Sequence, residues 1–267
     1  MIRRARAALL LFAALLAVRS SAAGAPSASL PAEIVAWQDA RGWSEHHARW
    51  HAQRRWALLH APTRAWAERR GWGAAERPEG SPGSGRDFLL MHRAMLQLLR
   101  ENFPDRAALF SGWDSPPPRL LDPRMAAAVR RLSERLDSFP SEDAFGRYLE
   151  TDLRPGTGAP GALASDRTAG VHARLHEALA DPASPVDAGD PTVNFRNAEF
   201  WALHGWIDAR WEAYRRLRGL DDGAASYRAE LAAERAHMSH EGAPGIVGPV
   251  PEEISKGFFR DTEPRGN

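Results

Sequence analysis

The chain has 267 residues, with 35 Lys and Arg against 34 Asp and Glu and a formal charge of +1 at pH 7. Acids and bases are interspersed, so there is no basic stripe of the kind that a nucleic-acid partner requires. It has no cysteine, which excludes disulfides and thiolate ligands and leaves His, Asp and Glu as donors for any metal.

The first residues read MIRRARAALLLFAALLAVRSSAAGA. Arg3, Arg4 and Arg6 precede an apolar run from Ala7 to Val18, and small residues follow. That three-part pattern predicts a signal peptide over residues 1–23, cut near Ala23, and places the mature protein in a periplasm or the medium. The Arg3-Arg4 pair hints at twin-arginine export, although its flanking residues fit that signal poorly. No second apolar run approaches the ~20 residues of a membrane span, so no membrane insertion is expected after cleavage.

Beyond the leader the pattern is helical nearly throughout. Pro31 to Asp39 reads as a short amphipathic helix, and Ser44 caps a second that runs to about His60. Arg86 or Asp87 opens a third, Asp122-Pro123 a fourth, and Ser141 a short fifth. Asp166 opens a sixth, Asn197 a long seventh, and Asp222 a last one through AELAAERAHM. No stretch shows strand alternation. Connections such as GAAERPEGSPGSGR, RPGTGAPGALAS and DPASPVDAGDP are rich in Gly and Pro and read as loops. The expected fold is mainly α, a helical bundle with long Gly/Pro-rich loops over residues 30–240. Residues 241–267 form a tail that is irregular, draped over the surface or disordered. Six of the ten tryptophans fall between Trp37 and Trp72 and read as packing residues for the first helices.

The ten histidines are not scattered at random. His172 and His176 are four apart, so a helix sets both rings on one face with Cβ atoms roughly 5–6 Å apart. That is a workable bite for one metal ion, and His204, on the apolar face of the next helix, is the natural third donor. A second echo lies in FLLMH and FWALH, each a Phe followed four residues later by a histidine, His92 and His204. Two such histidines together with the paired ones point to two facing metal positions inside a bundle.

These fragments resemble the copper motifs of tyrosinases and related type-3 copper proteins. FWALHGWIDARW is similar to the second copper motif, with Phe200, Trp201, His204 and Asp208 matching and Asn197-Ala198 standing where Asp-Pro is expected. FLLMHRAML resembles the first, with Met91 in place of an aromatic residue, and VHARLHEAL resembles the paired histidines of the second site. RRWALLHAP is similar to the helix end that carries the first ligand of the first site, which points to His60. The resemblance runs over about residues 50–215.

The resemblance implies a metal set of His60, His92, His172, His176 and His204, two copper ions, and Asp208 as an outer partner that holds a ligand ring or caps a nearby arginine. It implies the oxidation of a phenolic or diphenolic substrate by dioxygen, with copper supplied by a possible delivery partner. Two departures qualify it. The family's second ligand of the first site falls near Pro82-Gly83-Ser84, where there is no histidine, leaving His47 or His51 to complete that site. His47 and His51 are four apart and suit a joint approach to His92, as in arthropod-type members, whereas on one continuous helix His51 and His60 face nearly opposite ways. The asparagine that follows the first histidine of the family's second site is Ala173 here, which favours catechol oxidation over phenol hydroxylation. Ala173 also stands where a His-Glu-x-x-His zinc hydrolase carries its general base, which disfavours that chemistry. The remaining alternatives are a degenerate exported copper- or oxygen-binding protein without oxidase activity and a metal-free scaffold.

Overall fold

A computed structural model describes residues 29–151, 170–239 and 249–255. It is mainly helical, as the sequence predicts, and among the described residues there is no strand, only an isolated bridge between Ser29 and Asn197. The predicted leader lies outside the described residues. Within them, no helix is long and apolar enough to cross a membrane.

Among the described residues ten α-helices follow in order: α1 (Ala32–Asp39), α2 (Trp43–Arg54), α3 (Ala61–Glu68), α4 (Ser84–Asn102), α5 (Pro123–Glu134), α6 (Glu142–Glu150), α7 (Val171–Leu179), α8 (Ala198–Leu217), α9 (Ala225–Met238) and α10 (Glu252–Ser255). Three predicted caps hold. Asp122 accepts from the Met125 amide, Ser141 from Ala144 and Asn197 from Glu199, each satisfying an amide of a first turn.

The boundaries of α2 differ from expectation in a way that matters. The helix starts after Gly42, whose φ of 62° turns the chain out of α1, and it ends at Arg54 rather than near His60. His60 is extended and begins α3, a separate helix with a proline in its first turn, where that residue is tolerated without losing a hydrogen bond. Helix α4 opens at Ser84, slightly earlier than predicted, after Gly83 at φ 89°. The predicted opening of the sixth helix at Asp166 lies outside the described residues, and α7 is helical from Val171. Helix α9 starts at Ala225 rather than Asp222.

The two long helices, α4 and α8, form the spine. Helix α4 packs against α6, α8 and α9, and α8 also contacts α6 and α7. The crossing of α4 and α6 is very close, because Gly85 meets Gly146. A Cβ on Gly146 would lie 2.0 Å from the Gly85 carbonyl oxygen. One apolar cluster joins Phe88, Leu203, Trp206 and Trp211 to α5, α6 and α7, while a second joins Trp43, Met91, Phe195, Phe200 and Trp201. Residues 249–255, part of the expected irregular tail, pack back on the body. Ile254 is fully buried beside Ala48, Ala52 and Ala173, and Trp66 Nε1 donates to the Pro249 carbonyl at 3.1 Å.

Candidate metal centre

Four helices bring six histidines to one place. Helix α2 carries His47 and His51, α4 carries His92, α7 carries His172 and His176, and α8 carries His204. None of the six is more than 3% exposed. The rings fall into two trios of like construction, each combining an i,i+4 pair on a short helix with a single ring from a long one.

In the first trio, His47 Nε2 and His51 Nε2 are 3.0 Å apart. One ring nitrogen from each of His47, His51 and His92 lies within 4.8 Å of the other two. In the second trio, His172 Nε2 is 3.0 Å from His176 Nε2 and 3.1 Å from His204 Nε2. Ligands at about 2.0 Å in tetrahedral array stand roughly 3.3 Å apart, so the His47–His51, His172–His176 and His172–His204 contacts each have the spacing of two ligands on one ion. The trios adjoin. His92 and His204 stack at 4.5 Å between centroids and 14° between planes, and ring nitrogens of His92, His172 and His204 also lie within 4.8 Å of one another.

The hydrogen bonds fix which nitrogen faces inward. His92 Nδ1 donates to the Phe88 carbonyl at 2.8 Å and His204 Nδ1 to the Phe200 carbonyl at 2.7 Å, each four residues back on its own helix. His176 Nδ1 donates to the Ala188 carbonyl at 2.7 Å. A carbonyl only accepts, so these three rings carry their proton on Nδ1 and present a lone pair from Nε2. His172 Nε2, between the lone pairs of His176 and His204, offers a proton to one of them at most. At least one contact therefore sets lone pair against lone pair, an arrangement that a cation among the three nitrogens satisfies. His92 Nε2 is likewise buried with no hydrogen-bond partner, a costly state for a polar atom unless it ligates. On these grounds the residues fit a metal ion in each trio.

Burial holds all six imidazoles neutral. It is the largest cause of the downward shift at each, taking His176 to about 4 and the other five well below the usual value near 6.5. The Ala188 carbonyl opposes the shift at His176, as do the Phe88 and Phe200 carbonyls at His92 and His204. Neutral rings are the form that binds a metal.

The wall is aromatic. Phe88 lies 4.4 Å from the His92 ring and 4.8 Å from that of His172, while Phe200 lies 4.0 Å from His204. Phe195 covers His47 at 4.6 Å, and Trp50 stands 4.9 Å from His51. Trp201 is 6.4 Å from His204 and packs mainly behind it, against Trp43, Phe195 and Phe200.

Supports beyond the rings hold the helices in register. Arg54, in the turn after His51, donates to both Glu150 oxygens at 2.6 and 2.8 Å and to the Ser84 carbonyl at 2.9 Å, tying α2 to α6 and α4. Asp208 accepts from Arg93 Nε at 2.5 Å and from Arg100 at 3.2 Å. It therefore caps the arginine that follows His92 rather than holding a ligand ring.

His60 is the sequence-derived ligand that the structure does not bring in. Its side chain is 80% exposed, and its Nδ1 faces Glu253 at 3.1 Å. The reason is the early end of α2, which carries His60 out of the helix and onto the start of α3. His92, His172, His176 and His204 are brought together, and His47 and His51 stand where a complete first trio needs them. Their four-residue spacing was the available signal. No family model matches the chain, and neither a curated protein nor a solved structure matches it.

Proposed function

We propose that the six histidines hold two copper ions side by side, one per trio, and that the protein is a copper-dependent oxidase of diphenols. The observation that carries this reading is the pairing of two buried all-imidazole trios that meet at the stacked rings of His92 and His204. Imidazole-only donors suit copper among the first-row metals, and with no cysteine the protein offers no thiolate. A copper pair, when bound, supplies the two-electron reduction of dioxygen coupled to the oxidation of a diphenol to a quinone.

The chain's own part is to orient and to dry. The Phe88, Phe200 and Ala188 carbonyls fix three rings in the tautomer that points Nε2 inward. Phe88, Phe195 and Phe200 exclude water, and burial keeps the rings unprotonated. Ala173, beside His172, brings no hydrogen-bonding side chain to draw a proton from a monophenol, which favours catechol-type substrates. The near-complete burial of the rings, with Ile254 against Ala173, favours a second reading in which the pair binds dioxygen and turns over no phenol. One experiment separates them. Copper-loaded protein is exposed to oxygen and then to a catechol. An oxygen-dependent near-ultraviolet band followed by quinone formation supports the oxidase, and a reversible band without quinone supports the carrier. No oxygen-dependent band refutes both.

A further inference from the structure

A seventh histidine lies next to the centre and takes no part in it. His46 immediately precedes His47 on α2, and its ring sits 4.6 Å from that of His237, in the last turn of α9, with 68° between planes. The two pairs inside the centre have a similar ring separation, with Nε2 atoms 3.0 Å apart in each. His47 and His51 lie at 4.5 Å and 83°, and His172 and His176 at 4.5 Å and 84°. Here the pair joins two elements distant in sequence, held by a hydrogen bond one residue away. Trp43 Nε1, one turn before His46, donates to the carbonyl of Met238 at 2.9 Å.

His46 Nε2 is buried and has no hydrogen-bond partner. His237 is exposed at the surface end of the pair. Arg49 is a neighbouring cation. A metal ion beside the last turn of α9 is favoured by the negative end of that helix. Two imidazoles leave the rest of an ion's coordination to water, and Arg49 adds a nearby positive charge. Both features make for weaker binding than that of a buried three-imidazole site.

We infer that His46 and His237 form a third, outlying copper site that captures the ion at the surface and passes it to His47. The neighbouring residues His46 and His47 lie about 100° apart around α2, so the transfer crosses one flank of a single helix. The inference rests on the reading of the six-histidine centre as a copper pair.

The test adds copper(II) sulfate to metal-free protein and follows copper per chain, the paramagnetic resonance of isolated cupric ions and the rate at which the centre fills. Wild type should take up three ions in excess copper, one giving an isolated cupric signal with nitrogen coupling, and two after mild chelation. His237→Ala, a surface change, should lose the third ion and its signal, keep the two chelation-resistant ions, and fill the centre more slowly. The expected slowing is about tenfold or more, because capture beside the site raises the local concentration of the ion. His46→Ala should behave likewise. If His237→Ala matches wild type in ion count, signal and filling rate, the inference is overturned. If no ion resists chelation and His204→Ala changes nothing, it is the reading of the centre that fails. Loss of the isolated signal in His237→Ala would then show copper binding by this pair but remove its loading role.

Discussion

Asp208 and Arg93 form a buried ion pair at 2.5 Å that ties α8 to α4 one turn beyond His204 and one residue after His92. The guanidinium also lies 3.8 Å over the Trp211 ring and donates to the Tyr227 hydroxyl. The pair thus locks the two long helices at the point where each delivers its single histidine. Removing one partner leaves the other charge buried and uncompensated, which costs about 3–5 kcal/mol. Asp208→Ala should therefore lower the stability of the metal-free protein by about 3 kcal/mol, read from the midpoint of denaturant unfolding. A loss in metal affinity without a loss in stability would contradict this role.

The ligand assignment predicts a sharp contrast among histidine variants. His176→Ala and His204→Ala should empty the second trio, and His47→Ala and His51→Ala the first, each with helical content preserved by circular dichroism. His60→Ala should bind metal as wild type does, since its ring is 80% exposed and faces Glu253. Copper lost from the His60 variant would restore the sequence-derived ligand and remove the structural one.

Acid should unfold the metal-free protein through these rings. A histidine that is neutral when buried and titrates near 6.5 when unfolded takes up its proton first in the unfolded chain, so stability falls as pH drops below about 6.5. The fall continues until the folded value is reached. For His176, with a folded value of about 4, the loss is on the order of 3 kcal/mol. Stability of the metal-free protein should be flat above pH 7 and decline steeply from pH 6.5 toward 4. A profile that is flat through that range would show that the rings are not held neutral. Bound metal should shift the decline to lower pH, because ligation competes with protonation.

Gly205, directly after His204, has no room for a side chain. A Cβ there would lie 2.4 Å from the Gly112 amide nitrogen, and Gly112 itself has a φ of 86°. The obstacle is backbone on both sides, so neither can yield cheaply. Gly205→Ala should cost about 1–3 kcal/mol, seen as a lower midpoint of thermal or denaturant unfolding, and loosen copper by shifting His204. A variant of wild-type stability would contradict the backbone-to-backbone approach of Gly205 and Gly112.

Much of this was legible in the sequence for definite reasons. Asp122, Ser141 and Asn197 announced helix starts because their side chains satisfy amides that the first turn leaves open. His172 and His176 declared themselves by helical spacing, and His92 and His204 by their shared context after Phe88 and Phe200. The error at His60 came from extending α2 through WALL, where apolar residues give no stop signal. Only Pro62, placed to start a new helix, marked the break. The closure of α6 on α4 through Gly85 and Gly146 could not be read from sequence, because glycine has no side chain and its role exists only against a distant neighbour. Ile254 was hidden similarly, being one apolar residue in a tail with no periodicity.

The central claim is that two imidazole trios each hold one copper ion, His47, His51 and His92 on one side and His172, His176 and His204 on the other. Copper per chain, measured after mild chelation on wild type, His51→Ala and His204→Ala, tests it most directly. The account predicts two ions in wild type and the loss of at least one in each variant. Retention of the wild-type copper content in either variant would contradict it.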